Sequence, residues 1–443
     1  RAVTITSDTF LKLYGLYVDK DGNLYRHVGV TFYNNEYYGY VLEERITECE
    51  APTPTPTPGG STYPWGNEDP LPTPGVSSDF ELTLVQQGFP ESYKPYLRIL
   101  HNQHPNWIFK AHHTGLNWDD AVAQENIPGK NLIPNSSGIE WKSLEEGAYN
   151  WKTDSFIVYD GSTWVTASKA ALEYYMDPRN FLDDKSVFQF EVLTYEPSYQ
   201  NLEGVENILK YTPLYQTSYV YKNEYGEIHT IRYGETFLKA AEYSGVSPYH
   251  LATRVKQEVI TGMSTVSNSV TGTVSGFEGL YNFYNIGAYH STQAGGAIAN
   301  GLKYAKYGSS TDHALNSASM IPWDNRYSAI VGGAYIIGSS YINRGQNTIY
   351  LQKFNMTSYY TYSHQYMANV VAPSSEGKKT AQAYTGAVDS PIVFSIPVYL
   401  GMPSSAAPTP AAQYNPNNYL AELSVQKVDG TKYRLTPSFD GAS

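Results

Sequence analysis

Two proline-rich stretches limit what this 443-residue chain can fold into. The first comprises APTPTPTPGG and LPTPG, within residues 51–77. Alternating Thr-Pro removes backbone donors and fixes φ, so it favours an extended, semi-rigid polyproline II spacer over a packed core. The second, SIPVYLGMPSSAAPTPAAQYNPNNY, runs into a Pro/Ala/Asn-rich linker over 401–418. The chain is therefore expected to be modular, and at roughly 150 residues per domain its length suggests about three domains. The divisions read as a β module over 1–50, a linker over 51–77, an α+β accessory domain over 78–215, a mainly helical domain over 216–400, a linker over 401–418 and a β module beginning at 419 and running to 443.

The first module alternates in strand fashion from Leu24 to Ile46, with Asn34-Asn35 as a hairpin turn. Its YNNEYYGYVLEERI pattern resembles the closing strands of a bacterial SH3-like module. At the other end, AELSVQKVDGTKYRLTPSF reads as short strands around an Asp429-Gly430 turn and resembles the start of a cadherin-like or immunoglobulin-like sandwich.

A net charge of −12 and a pI near 5.3 argue against a nucleic-acid partner, whose phosphates demand a basic surface. The 42 Tyr against 30 Lys+Arg suit both exposed β-sheet and carbohydrate surfaces, because Tyr offers a flat apolar face and a hydroxyl. The single cysteine, Cys49, excludes an intramolecular disulfide. No apolar run approaches the ~20 residues of a membrane span. With no initiator Met and no signal peptide, the sequence reads as a mature or excised fragment.

The chemistry concentrates between Phe237 and Ala288. Gly245 sits where a left-handed residue would stop one helix, Ser247 makes an N-cap and Pro248 suits the first helical position. The next helix is expected from about Pro248 to Val259, with Leu251, Val255 and Val259 on its buried face. Glu258, seven positions after Leu251, falls along the same face near the helix C-terminus. Desolvation and the negative end of the helix dipole would both raise its pKa, as a general acid near neutral pH requires. A carboxylate at the face boundary, snorkelling to water or paired with Lys256 or Arg254, accounts for the spacing equally well.

The run SPYHLATRVKQEV, the later YNFYNIGA and the downstream PWDNRYSAIVGGAYIIGSSYINRGQNTIYLQKFN resemble bacterial N-acetylglucosaminidase domains of glycoside hydrolase family 73, which are peptidoglycan hydrolases. The resemblance covers about residues 230–400, and the family's catalytic acid maps onto Glu258. Where most members continue with Ser-Gly-Trp-Gly, this chain has Val259-Ile260-Thr261-Gly262. The family's Asn-Leu-Phe-Gly-Ile block resembles Asn282-Phe283-Tyr284-Asn285-Ile286. The HPNW and MDPRNFL blocks resemble segments upstream of glucosaminidase domains in large surface proteins, and their aromatics are expected in core and interdomain contacts.

A second catalytic group has three sources. Glu278, in SGFEGLYNFYN, lies in a loop that must pass near Glu258; Asp312 and Asp324 fall in the interval where the family's second acid lies; and the substrate's own 2-acetamido group can act as nucleophile. Glu278 could equally order its own loop through backbone N–H groups. Tyr281, Tyr284 and Trp323 are candidates for a sugar platform, with Asn282, Asn285 and Tyr327 completing the substrate-binding set; core packing accounts for the three platform rings equally well. His101, His104, His112 and His113 lack matched ligand spacing, so no metal and no cofactor is expected. Further helices are expected over Asn117–Glu125, Gly295–Tyr307, from Asp324 (as N-cap) to Tyr341, Asn347–Phe354, about Gln365–Val371 and Ser374–Thr385.

The resulting expectation is a multidomain α+β protein: a mainly helical, lysozyme-like catalytic domain preceded by β-rich modules. The resemblance implies a secreted or cell-wall-associated autolysin, an endo-β-N-acetylglucosaminidase acting as a monomer on peptidoglycan glycan strands, with no membrane span. The rivals are a surface protein that holds glycan without cutting it, and a muramidase or lytic transglycosylase using the same lone Glu.

Overall fold

The computed structural model describes residues 78–411 except 291, 293 and 294. Outside that stretch it describes the backbone of strands Lys12–Val18, Leu24–Phe32, Asn35–Leu42, Leu420–Asp429 and Lys432–Phe439. The Thr-Pro linker, Cys49, Asn34, Gly430 and residues 412–419 lie outside the described residues. The chain divides into two compact units, Arg1–Pro70 and Leu71–Ser443.

The first unit carries a three-stranded antiparallel meander. Strand Leu24–Phe32 pairs with both neighbours, and Phe32 stands opposite Asn35. Near the C-terminus, Leu420–Asp429 and Lys432–Phe439 form the expected antiparallel pair, Asp429 opposite Lys432.

In the second unit, twelve α-helices occur among the described residues. They are α1 (Ser78–Gln86), α2 (Lys94–Gln103), α3 (Trp118–Glu125), α4 (Lys169–Met176), α5 (Leu202–Leu209), α6 (Tyr233–Ser244), α7 (Pro248–Val259), α8 (Gly296–Tyr307), α9 (His313–Ala318), α10 (Arg326–Ser340), α11 (Ile349–Lys353) and α12 (Ala372–Ala383). Local signals account for most of the ends. Asn117 caps α3, Ser247 caps α7 and Thr348 caps α11 through side-chain oxygens, and Gly245, at φ 72°, takes the left-handed position after α6. Two expectations are corrected. The cap of α10 is Asn325, whose Oδ1 accepts from Ser328 N at 2.8 Å, rather than Asp324. Residues 365–371 form no helix: Gln365 is bonded to Lys353 and Glu125, and Tyr366 N donates to the Gln352 carbonyl, from an irregular segment.

The boundary drawn at 215/216 does not separate two cores. Strand Ile108–Asn117 pairs in parallel with Val393–Leu400, Phe109 opposite Phe394, so the two ends of the unit share a sheet. Around it Trp107, Phe188 and Phe394 pack with ring centroids 5.0–5.5 Å apart, inside one contiguous apolar cluster that also takes in α5, α6, α7 and α10. A parallel pair needs a long crossover, and here the crossover is nearly the whole helical body. The HPNW and MDPRNFL blocks find their roles in that core. His104 stacks on Trp107, and Asp177 pairs with Arg179, both buried. Arg179 also donates to the carbonyls of Pro403 and Ser405, and Ala407 N donates to Asp177 Oδ2 at 2.8 Å. The start of the expected 401–418 linker is thus tied to the body.

Helix α7 packs against α5, α6 and α12, and α6 against α10. Glycine also lets the aromatic block approach α10: a Cβ on Gly333 would lie 2.6 Å from the Tyr284 ring. Residues of α7, α10, α11 and α12 line the cleft described next.

Candidate active site

The sequence places α7 correctly to the residue, and the helix delivers Glu258 to the wall of a cleft of about 500 Å³. Other groups on the wall include His250 and Arg254 from the same helix, Ile336 and Ile337 from α10, Tyr341, Gln352, Tyr366, and Glu376 with Lys379 from α12. The burial expected for Glu258 is corrected: its side chain is 36% exposed. Leu251 gave the wrong guide because Pro248 to Thr253 are all buried, so that half of the helix has no exposed face to contrast with a buried one. Only the last turn has sides, and Glu258 is on the open one.

Two groups hold Glu258. Asn285 Nδ2 donates to Glu258 Oε2 at 3.0 Å and to the Glu258 carbonyl at 3.1 Å. Arg254, one turn back, brings Nη2 to 3.6 Å from Oε1. Lys256, the other partner considered, points elsewhere and donates to the carbonyls of Ile208 and Ala383. Asn285 sits at φ 52°, a region that Asn tolerates better than most residues. The aromatic block therefore does return to the helix end, as its sequence suggested, with Asn285 as the residue that touches the carboxylate.

The other expected site residues divide. Asn282 is fully buried and donates to the carbonyls of Ile286 and Gly301, leaving nothing for a substrate. Tyr284 is buried with its hydroxyl on the Ile330 carbonyl, and Trp323 is fully buried with its indole N–H on Ser319. For the rings Tyr284 and Trp323 the core account holds, and for all three residues the substrate-binding expectation is corrected: they sit between the aromatic block and helices α8 and α10. Tyr281 is half-buried beneath Arg326, whose guanidinium lies 4.7 Å from its ring. Tyr327 stacks flat on Tyr221 at 4.5 Å. Neither lines the cleft. Glu278 is exposed and outside the cleft wall; its own amide and that of Gly276 hold its carboxyl below the usual range.

The sequence reading missed the opposite wall. Glu376 is half-buried in the first half of α12, a polar helix on which one more acidic residue attracts no notice in the sequence. Burial raises its carboxyl above the usual range, against the pull of the Tyr366 hydroxyl, Arg254 and Lys379. Burial, assisted by the charge of Arg254, pushes the His250 imidazole down to about 3, so it is neutral at physiological pH. The cleft thus presents two carboxyls on different helices with one guanidinium near both, a neutral imidazole and a rim of Tyr341 and Tyr366. Such a wall can hydrogen-bond a polyhydroxylated ligand and pass protons to it.

No family model matches this chain. Its sequence is similar to bacterial proteins named autolysin and beta-N-acetylglucosaminidase. A bifunctional autolysin of Staphylococcus epidermidis is 27% identical over 243 residues, covering 53% of this chain and 16% of the relative. A beta-N-acetylglucosaminidase of Bacillus subtilis is 26% identical over 242 residues, covering 53% of this chain and 23% of the relative. Among solved structures, the major bifunctional autolysin aligns with a TM-score of 0.42 at 22% identity, covering 66% of this chain and 98% of that one. The chain thus spans less than a quarter of the length of either curated relative. Among the described residues no helix is long and apolar enough to cross a membrane.

Proposed function

We propose that this chain is a peptidoglycan hydrolase of the glucosaminidase kind, belonging with glycoside hydrolase family 73 and built on a lysozyme-like helical body. It acts at the cell wall on the β-1,4 bond between N-acetylglucosamine and N-acetylmuramic acid. The observation that carries the reading is the placement of Glu258. A carboxyl ends a buried helix, faces a cleft and is fixed from two sides by Asn285 and Arg254. Similarity to enzymes named autolysin and beta-N-acetylglucosaminidase supports the same assignment.

In this reading Glu258 gives its proton to the glycosidic oxygen as the bond to the anomeric carbon breaks, and the leaving sugar departs as a neutral alcohol. The electron deficiency left on the anomeric carbon is met by the substrate's 2-acetamido oxygen or by water. Water then supplies the new hydroxyl, its proton returns to Glu258, and the cycle closes with one bond hydrolysed. Asn285 keeps the carboxyl aimed, and Arg254 compensates its charge after proton transfer.

Digestion of purified peptidoglycan, with the reducing-end sugar read by mass spectrometry, tests the assignment. Fragments ending in reducing N-acetylglucosamine are expected. Reducing N-acetylmuramic acid would make the enzyme a muramidase, anhydro-muramic ends a lytic transglycosylase, and no release from several wall types a glycan-binding protein.

A further inference from the structure

Of the acidic side chains among the described residues, two line the cleft: Glu258 from α7 and Glu376 from α12. They approach from separate helices, and Arg254 stands close to both. Its Nη2 lies 3.6 Å from Glu258, and its charge acts on Glu376. Arg254 Nε is buried and makes no hydrogen bond among the described residues, so its guanidinium is not fully committed to either carboxyl. The acids weighed from sequence alone are placed differently. Glu278 is exposed and ties its own loop, and Asp312 caps α9 by accepting from Leu315 N.

We propose that Glu376 is a second functional carboxyl of this cleft, donating a hydrogen bond to the amino sugar that lies against Glu258. The proposal rests on the reading of the cleft as an amino-sugar site. The groups that act on Glu376 are Arg254 from α7, Tyr366 from the segment after α11, and Lys379 one turn along α12; His250 from α7 lines the same cleft. Burial outweighs the attraction of the two cations and the hydroxyl, so the neutral acid is favoured up to a higher pH than for an exposed Glu. A neutral carboxylic acid has the O–H that a carboxylate lacks, and an acetamido carbonyl or sugar hydroxyl is its natural acceptor. His250 stays neutral across the same range and does not switch with it.

The test separates this role from a structural one by its pH dependence. Binding of chitotetraose is measured by isothermal titration calorimetry, and KM on purified glycan strands is measured alongside, both from pH 5 to 8. For the native chain, affinity falls and KM rises toward alkaline pH as Glu376 ionises. Glu376→Gln keeps a neutral N–H donor and cannot titrate, so the alkaline fall in affinity becomes shallower than native, and affinity at pH 5 stays within about threefold of native, the scale of one altered neutral hydrogen bond. Glu376→Ala weakens binding at pH 5 by roughly tenfold, the scale of one lost hydrogen bond. Circular dichroism checks that each variant folds; if the Ala variant does not, the Gln curves decide. A Glu376→Gln curve that still follows the native one overturns the proposal. Binding that depends on Glu376 without any hydrolysis by the native chain overturns the enzyme reading and leaves the proposal standing. Hydrolysis with pH curves indifferent to Glu376 does the reverse.

Discussion

The two walls of the cleft carry the same residue in opposite surroundings. Glu258 stands at the end of α7, open to solvent and held by Asn285 and Arg254. Glu376 stands in the first half of α12, half-buried against Tyr366, with Arg254 and Lys379 nearby. The difference teaches that helix position and residue type do not assign a carboxyl its chemistry; access to water and the count of fixed donors do. An accessible, aimed carboxyl can exchange protons with substrate and solvent, whereas a half-buried one is better suited to staying neutral and donating.

The largest effect expected from breaking this contrast is on Glu258. Glu258→Gln keeps size and shape but removes the transferable proton, so turnover on purified glycan strands should fall by about 10²–10⁴-fold, the usual worth of general acid catalysis. Because the side chain is exposed, the melting temperature should stay put. Near-native turnover would take the role of proton donor away from Glu258.

A fully buried carboxyl extends the comparison. Glu191, behind α12, accepts from Tyr384, and burial raises it to about 8 from an ordinary 4.5. The folded state therefore holds its proton where the unfolded chain releases it. The stability this group contributes is complete below pH 4.5 and is lost as pH rises toward 8, at roughly 1.4 kcal/mol per pH unit. His250 has the opposite sign: with its folded value near 3, stability is lost as pH falls below the ordinary 6.5. Urea melts from pH 4 to 9 should show a dome. Glu191→Gln should flatten the alkaline side and leave the acid loss due to His250 below pH 6.5, and an unchanged alkaline slope would mean that Glu191 is ionised in the folded protein.

Asn285 gives a smaller effect. Asn285→Gly keeps the left-handed backbone at no steric cost and deletes the amide that aims Glu258. A loss of about tenfold in kcat is expected from one hydrogen bond to a carboxyl, with KM little changed. Glu278→Gln should be smallest, with activity changing less than about twofold, because an exposed loop cap away from the cleft touches no substrate. A loss as large as that of Glu258→Gln would bring the loop into the cleft during catalysis.

What the chain declared by itself was local. Ser247, Pro248 and Gly245 wrote the ends of α6 and α7, because caps and left-handed turns depend on one or two side chains acting on adjacent backbone. Asp429 opposite Lys432 follows a turn signal of the same short range. Glu258 stood out because an acid interrupts an apolar stripe, and Asn285 because it belongs to a recognisable block. The tertiary structure decided which way these groups face. Tyr284 and Trp323 look like a sugar platform in sequence, yet an aromatic ring satisfies a core and a binding surface equally well until its neighbours are known. The cleft's second wall was invisible for the same reason. Glu376 lies 118 residues after Glu258 on a polar helix, and only the packing of α12 against α7 brings their carboxyls into one space. Likewise, no periodicity links Ile108–Asn117 to Val393–Leu400, since parallel pairing is set by the body that lies between the strands.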